Sequence, residues 1–176
     1  VVLLLSLILS ACGASPVAQN WPGLTLDGDT LYVISGSPQQ VYMLEAETGA
    51  QKGTFPPPSE GRGALYWSPV TVGDDGTAYV AFAVAETEPS SLYAFNPETG
   101  QVLWNVPAES LALPAPAYAE GVVYFGDTTG NVYAVDAETG GVKPGWPFKA
   151  DSAIWATPLI ADGRAYFAQW RFYQHS

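Results

Sequence analysis

The chain has 176 residues, of which 48% are hydrophobic and 13% aromatic, enough for one domain with a real core and a composition that favours β structure. Seventeen acidic against six basic residues leave a net charge of −11, which argues against duplex nucleic acid or an anionic membrane face as partner, because both attract Lys and Arg.

The first segment, Val1 to Leu9 (VVLLLSLIL), is almost wholly apolar and is followed by the small residues Ser10, Ala11, Cys12, Gly13 and Ala14. A spanning helix needs about 20 apolar residues, so this run reads as the apolar region of an export signal. The sequence starts with Val and carries no basic leader, so its true first residues are expected to be missing. Leu9-Ser10-Ala11-Cys12 resembles the lipobox of bacterial lipoproteins, in which the Cys is lipidated and becomes the first mature residue. Cys12 is the single cysteine of the chain and has no intrachain partner to pair with. The expected organisation is a signal peptide over 1–11, a lipidated Cys12 and tether over 12–20, and a folded part over 21–176.

From there a unit repeats. Glu47-Thr48-Gly49, Glu98-Thr99-Gly100 and Glu138-Thr139-Gly140 each close an alternating aromatic-rich run, namely Val41-Tyr42-Met43-Leu44, Leu92-Tyr93-Ala94-Phe95 and Val132-Tyr133-Ala134-Val135. Thr48, Thr99 and Thr139 stand 51 and 40 residues apart, in or near the period of propeller blades. An acidic-Gly turn leading to a strand and a Tyr recurs at Asp27-Gly28, Asp75-Gly76, Glu120-Gly121 and Asp162-Gly163, the glycines being spaced by 48, 45 and 42 residues. The second copy is clearest, with strands predicted over Pro69–Val72, Thr77–Val84, Ser91–Asn96 and Gln101–Val106. The third repeats this from Pro116, with Asp127–Gly130 as the turn between its middle strands. Nothing after the signal shows helical periodicity. Four short antiparallel strands per 40–50 residues make a propeller blade, so the predicted class is all-β: three four-stranded blades and the start of a fourth.

The unit resembles the PQQ-like β-propeller repeat, whose pattern is Ala-x-Asp-x-x-Thr-Gly-x-x-x-Trp. Ala94, Asn96, Thr99, Gly100 and Trp104 match it with Asn in place of Asp. Ala134, Asp136, Thr139 and Gly140 match too, but Pro144 stands at the Trp position and Trp146 lies two residues later. Met43, Glu45, Thr48 and Gly49 form a degenerate copy, with Gly53 at the Trp position and Phe55 just beyond. In that family these residues lock blade to blade, so the resemblance implies a structural role for them. Closed propellers have 4–8 blades, and the family usually has seven or eight. The chain is therefore expected to be the N-terminal part of a longer propeller whose remaining blades lie in missing sequence.

Candidate chemistry is sparse. Enzymatic quinoproteins share the blade, and as the family implies they use a vicinal Cys pair, Ca²⁺ and an Asp base, whereas Cys12 belongs to the lipobox. His175 is the single histidine and sits at the chain's end, and no Gly-x-Ser-x-Gly run is present. Asp27/Asp29, Asp74/Asp75 and Asp127 offer oxygen ligands for Ca²⁺, yet each sits beside Gly where Asp favours turn geometry. Trp67 and Trp155 precede first strands, where they either line a binding rim or pack between blades; Trp21, Trp104, Trp146 and Trp170 read as core or inter-blade residues. No catalytic, cofactor or metal residue is assigned.

The expected function is that of a non-enzymatic, lipid-anchored extracytoplasmic scaffold that binds protein or peptide partners in the cell envelope, with no cofactor and no nucleic acid. At the level of the repeat it is similar to the propeller lipoprotein of the outer-membrane β-barrel assembly machinery. The alternatives are a fragment of a PQQ-dependent dehydrogenase or other envelope enzyme, and a surface ligand-binding or sensory lipoprotein.

Overall fold

A computed structural model describes residues 23–36, 39–56, 65–66, 68–83, 90–109 and 114–169. Among them every regular element is a strand. The first sheet runs in the order β1 (Leu24–Asp27), β2 (Thr30–Gly36), β3 (Gln39–Glu45), β4 (Gln51–Phe55). The second contains β5 (Leu65–Tyr66), β6 (Thr71–Val72), β7 (Ala78–Ala83), β8 (Ser91–Phe95) and β9 (Val102–Pro107). The third is β10 (Ala117–Ala119), β11 (Val122–Gly126), β12 (Asn131–Asp136), β13 (Phe148–Lys149), and β14 (Leu159–Ala161) pairs with β15 (Arg164–Tyr166) to open a fourth. All pairings are antiparallel, and all join neighbours in sequence except β5, which pairs with β7. These are three blades and the first hairpin of another, as the repeat predicts.

The hairpins follow from turn chemistry. Glu120-Gly121 and Asp162-Gly163 are two-residue loops with both residues at positive φ (49° and 75°, 51° and 68°), the type I′ geometry that matches strand twist. The three Glu-Thr-Gly turns are superimposable in their bonding. The glycine N–H donates to the carbonyl four residues back, Gly49 to Glu45, Gly100 to Asn96 and Gly140 to Asp136, at 2.8–2.9 Å. The Thr Oγ1 accepts the N–H two residues on, from Ala50, Gln101 and Gly141, at 3.1–3.3 Å.

The first strand of the second blade differs from expectation. Pro69 is outside it, and this edge of the sheet comes as two short pieces, β5 and β6, both paired with β7. Between them the fully buried Ser68 turns its Oγ to accept the Ala81 N–H at 3.1 Å, so a side chain replaces one rung where Pro69 interrupts the ladder. The fourth strand of the third blade is also broken: Val142 bridges Val135, and β13 resumes only after the Pro144–Pro147 stretch.

The cores lie between blades. One cluster joins Tyr32, Ile34, Val41, Met43 and Phe55 of the first blade to Val70, Ala78, Val80, Phe82 and Phe95 of the second. The next joins Tyr79, Ala81, Leu92, Ala94, Val106 and Ala108 to Val123, Phe125, Tyr133 and Val135 of the third. β7 therefore buries both faces, Ala78, Val80 and Phe82 one way and Tyr79 and Ala81 the other, which is why it reads as an unbroken apolar run. Near the inner strands, Thr25 Oγ1 donates to Val70 O at 2.6 Å, and 46 positions on Thr71 Oγ1 donates to Pro116 O at 2.7 Å, so two successive joints carry the same hydroxyl latch.

Candidate functional site: the joint between the first two blades

The residues of the repeat motif are held in a joint, and the second joint shows how. Trp104 on β9 lies tilted against Tyr79, ring centroids 5.7 Å apart, and Tyr118 stacks on the same Tyr79 at 6.1 Å. The indole Nε1 donates to Ala137 O of the third blade's turn at 3.0 Å. A Cβ on Gly140 would meet the indole at 2.8 Å, so this turn must carry Gly for the ring to lie on it. Burial raises the Tyr79 hydroxyl pKa far above its ordinary value, with smaller help from the Asp75 charge. Asp136 fixes the turn from below: its Oδ1 accepts the N–H groups of Glu138 and Thr139 and the Thr139 hydroxyl, and Oδ2 accepts Lys143 Nζ at 2.7 Å. The lysine hydrogen bond, followed by those of Thr139, holds the Asp136 carboxyl down at about 2. Asn96 does the same work without charge, its Oδ1 accepting Glu98 N and Thr99 N at 2.8 and 3.1 Å.

The first joint has a different filling. The strand register places Tyr32, Met43 and Gly53 across the first blade where Tyr79, Ala94 and Trp104 stand across the second. The large residue has moved from the fourth strand to the third: Met43 replaces Ala94 and Gly53 replaces Trp104. The Met43 methyl lies 3.0 Å from where a Gly53 Cβ would be, so it occupies the root of the indole's place. Phe55, just beyond, does not take that place either; it is fully buried and stacked on Phe95 with centroids 4.0 Å apart.

What remains is a cavity of about 740 Å³ open at the blade ends. Its floor includes Tyr32 and Met43, and its walls come from the β1–β2 turn (Asp27, Asp29, Thr30), the β6–β7 turn (Asp75, Thr77) and the following blade's turn (Asn96, Pro97, Glu98). Four carboxylates line it against one cation, Lys52, and that lysine donates to Asp29 Oδ1 and Thr30 Oγ1, each at 2.8 Å. The Lys52 hydrogen bond, then that of Thr30, lowers the Asp29 pKa. Burial first, and the charge of Asp27 second, push the Tyr32 hydroxyl up to about 12, so it stays a neutral donor throughout the physiological range. Asp75 is tied to its own turn through Thr77 N and Oγ1. Among the described residues nothing hydrogen-bonds the Asp27 or Glu98 carboxylates or the Pro97 carbonyl.

The remaining candidates are dispersed. Trp155 is 56% exposed beside the fully buried Ile154. Trp146 meets Tyr124 edge-on at 6.2 Å and reaches Phe167 of the next hairpin at 6.2 Å. Cys12, Trp21, Trp67, Trp170 and His175 lie outside the described residues. The fully buried Asp127 spends its carboxylate on its own loop: Thr129 N and Oγ1, Asn131 N and Nδ2, and Tyr133 OH all donate to it. Among the described residues no three His, Cys, Asp or Glu gather where one ion would reach them, and no helix is long and apolar enough to cross a membrane. The cavity was not anticipated from the sequence. The signal was present in the paired departures Met43 and Gly53, which only strand register shows to be neighbours.

Comparison with known proteins places this architecture. Similar solved structures include the computationally designed Ika4 protein, with a TM-score of 0.67, 15% identity and 86% of each chain covered. A second is the quinohemoprotein alcohol dehydrogenase ADHIIG from Pseudomonas putida HK5, with a TM-score of 0.60 at 17% identity over 85% of this chain and 34% of that one. At such identities the likeness is one of fold. Among curated proteins, the serine/threonine-protein kinase AfsK of Streptomyces griseus is 30% identical over 123 residues, which is 66% of this chain but spans only 14% of the kinase. The family described as outer membrane protein assembly factor BamB matches over residues 15–143 and again over 88–171. Its two overlapping matches cover nearly all of the repeat, and the chain belongs to this family of PQQ-like β-propeller proteins.

Proposed function

We propose that the chain is part of a lipid-anchored, extracytoplasmic β-propeller that serves as a protein- or peptide-binding scaffold in the cell envelope, with a role in envelope protein assembly. The observation that carries the reading is the unfilled first joint. Elsewhere the motif residues are spent on locking blade to blade, but here a rigid scaffold opens a polar-rimmed cavity of about 740 Å³ at its surface. The family's description as an assembly factor supports the envelope role, and the lipobox-like Leu9-Ser10-Ala11-Cys12 supports an anchor on Cys12. Two acyl chains at one residue would suffice for stable attachment.

The scaffold reading is tested by affinity capture of the tagged chain from detergent-solubilised envelopes, with envelope assembly proteins expected as co-purifying partners. Redox activity dependent on added quinone and Ca²⁺ would replace it with the dehydrogenase reading. The anchor is tested separately with a fatty-acid analogue: label is expected on the wild-type chain and lost in Cys12→Ser. Continued labelling of the variant would remove the anchor from the proposal.

A further inference from the structure

We infer that the cavity between the first two blades receives an aromatic side chain, a Trp flanked by Lys or Arg, presented by a peptide partner. The inference specifies the ligand of the peptide-binding reading above and rests on it. The chain itself shows what this position accepts. In the next joint the corresponding space holds Trp104, tilted against Tyr79 with centroids 5.7 Å apart and donating to Ala137 O at 3.0 Å. The first joint keeps the two receiving groups. Tyr32 takes the place of Tyr79, and Pro97, next in its turn after Asn96 as Ala137 is after Asp136, presents a carbonyl to which no described residue donates. That oxygen lies 3.6 Å from where a Cβ on Gly53 would stand.

The chain cannot supply the ring itself, because residue 53 is Gly and the Met43 methyl occupies the root of the place. An incoming ring therefore enters from the open end, over a polarisable thioether that suits an aromatic face. The rim selects the flanks. Asp27, Asp29, Asp75 and Glu98 face one lysine that Asp29 already holds, so cations beside the ring are favoured and a neutral or acidic peptide is not.

The test uses the whole chain and end-blocked Lys-Trp-Lys, Lys-Ala-Lys and Glu-Trp-Glu peptides. Met43 is the single methionine, so a ¹³C-methyl label reports on the cavity floor alone. Lys-Trp-Lys is expected to shift that methyl saturably by ring current. Dye-labelled versions should show affinity at least about tenfold weaker for each of the other two peptides, and weaker Lys-Trp-Lys binding as salt is raised. The double variant Met43→Ala/Gly53→Trp rebuilds the second joint's filling in the first; it should keep or raise the Tm and lose the peptide. Should it not fold, Asp27→Asn/Glu98→Gln alters exposed groups only and should weaken Lys-Trp-Lys about tenfold. Equal binding of Lys-Trp-Lys and Lys-Ala-Lys, or an unmoved Met43 methyl at saturation, overturns the inference. Either result leaves the scaffold reading standing if envelope partners are still captured, whereas peptide binding without captured partners removes the scaffold role and keeps the site.

Discussion

A methyl group on residue 140 would sit 2.8 Å from the Trp104 indole, whereas on residue 49 it would meet nothing within 4 Å. Both glycines have φ near 70°, so Ala at either position carries the left-handed backbone penalty of about 1–2 kcal/mol. Only Gly140→Ala adds a collision, and it is expected to destabilise clearly more than Gly49→Ala in matched denaturant titrations. Trp104→Ala should cost about 2–4 kcal/mol, because the ring is only half-buried yet gives up a hydrogen bond as well as packing. Once the indole is gone the collision goes too, so the double variant with Gly140→Ala should be less destabilised than the sum of the singles. Asp136 makes a pH prediction. Its folded pKa, about 2, lies below the unfolded value of 3.8, so its contribution is complete above pH 3.8 and disappears as pH falls toward 2. Asp136→Asn copies Asn96 and retains an acceptor for the turn but gives up the Lys143 pairing, so it should be less stable than wild type at neutral pH, lack that acid limb, and converge with wild type as pH falls toward 2. A titrating limb unchanged in the variant would assign it to other carboxylates.

At the scale of elements, the hydroxyl latches at Thr25 and Thr71 close successive joints onto backbone carbonyls. Thr71→Val keeps the shape and removes the donor, and about 1 kcal/mol of lost stability is expected by urea titration, with Ser restoring most of it. Element by element, the sequence made the hairpins and the motif turns readable because their chemistry is local. Glu120-Gly121 needs only two residues to specify its geometry, and Asp136 and Thr139 bond within their own turn. Less was legible where a distant residue completes the structure. Ser68 substitutes for a rung 13 residues away, so the strand expected over Pro69–Val72 is confined to Thr71–Val72 and a further piece, Leu65–Tyr66, pairs ahead of it. β13 starts late because the chain turns at Pro144-Gly145, Trp146 N–H donating to Lys143 O at 3.1 Å, and Trp146 leaves the ladder to cover Tyr124. The cavity is the extreme case. Met43 and Gly53 both depart from the motif in the sequence, but only register sets them side by side, and Pro97 belongs to another blade entirely.

For the molecule as a whole, each blade completes its core against its neighbour. Phe55 of the first blade is packed on Phe82 and Phe95 of the second, at 5.8 and 4.0 Å between centroids. Phe55→Ala should cost about 3–5 kcal/mol. Its effect is not expected to stay in one joint: tryptophan fluorescence, which includes Trp104 of the second joint, should shift together with the far-ultraviolet circular dichroism in a single transition. Two separated transitions would show that the blades melt independently. The alternation along β7 explains the coupling. A one-residue slip of β7 would send Val80 toward the third blade and Tyr79 toward the first, spoiling two interiors with one change. The strand is a party wall between two rooms, and substitutions that improve the fit on one side remain constrained by the neighbour on the other.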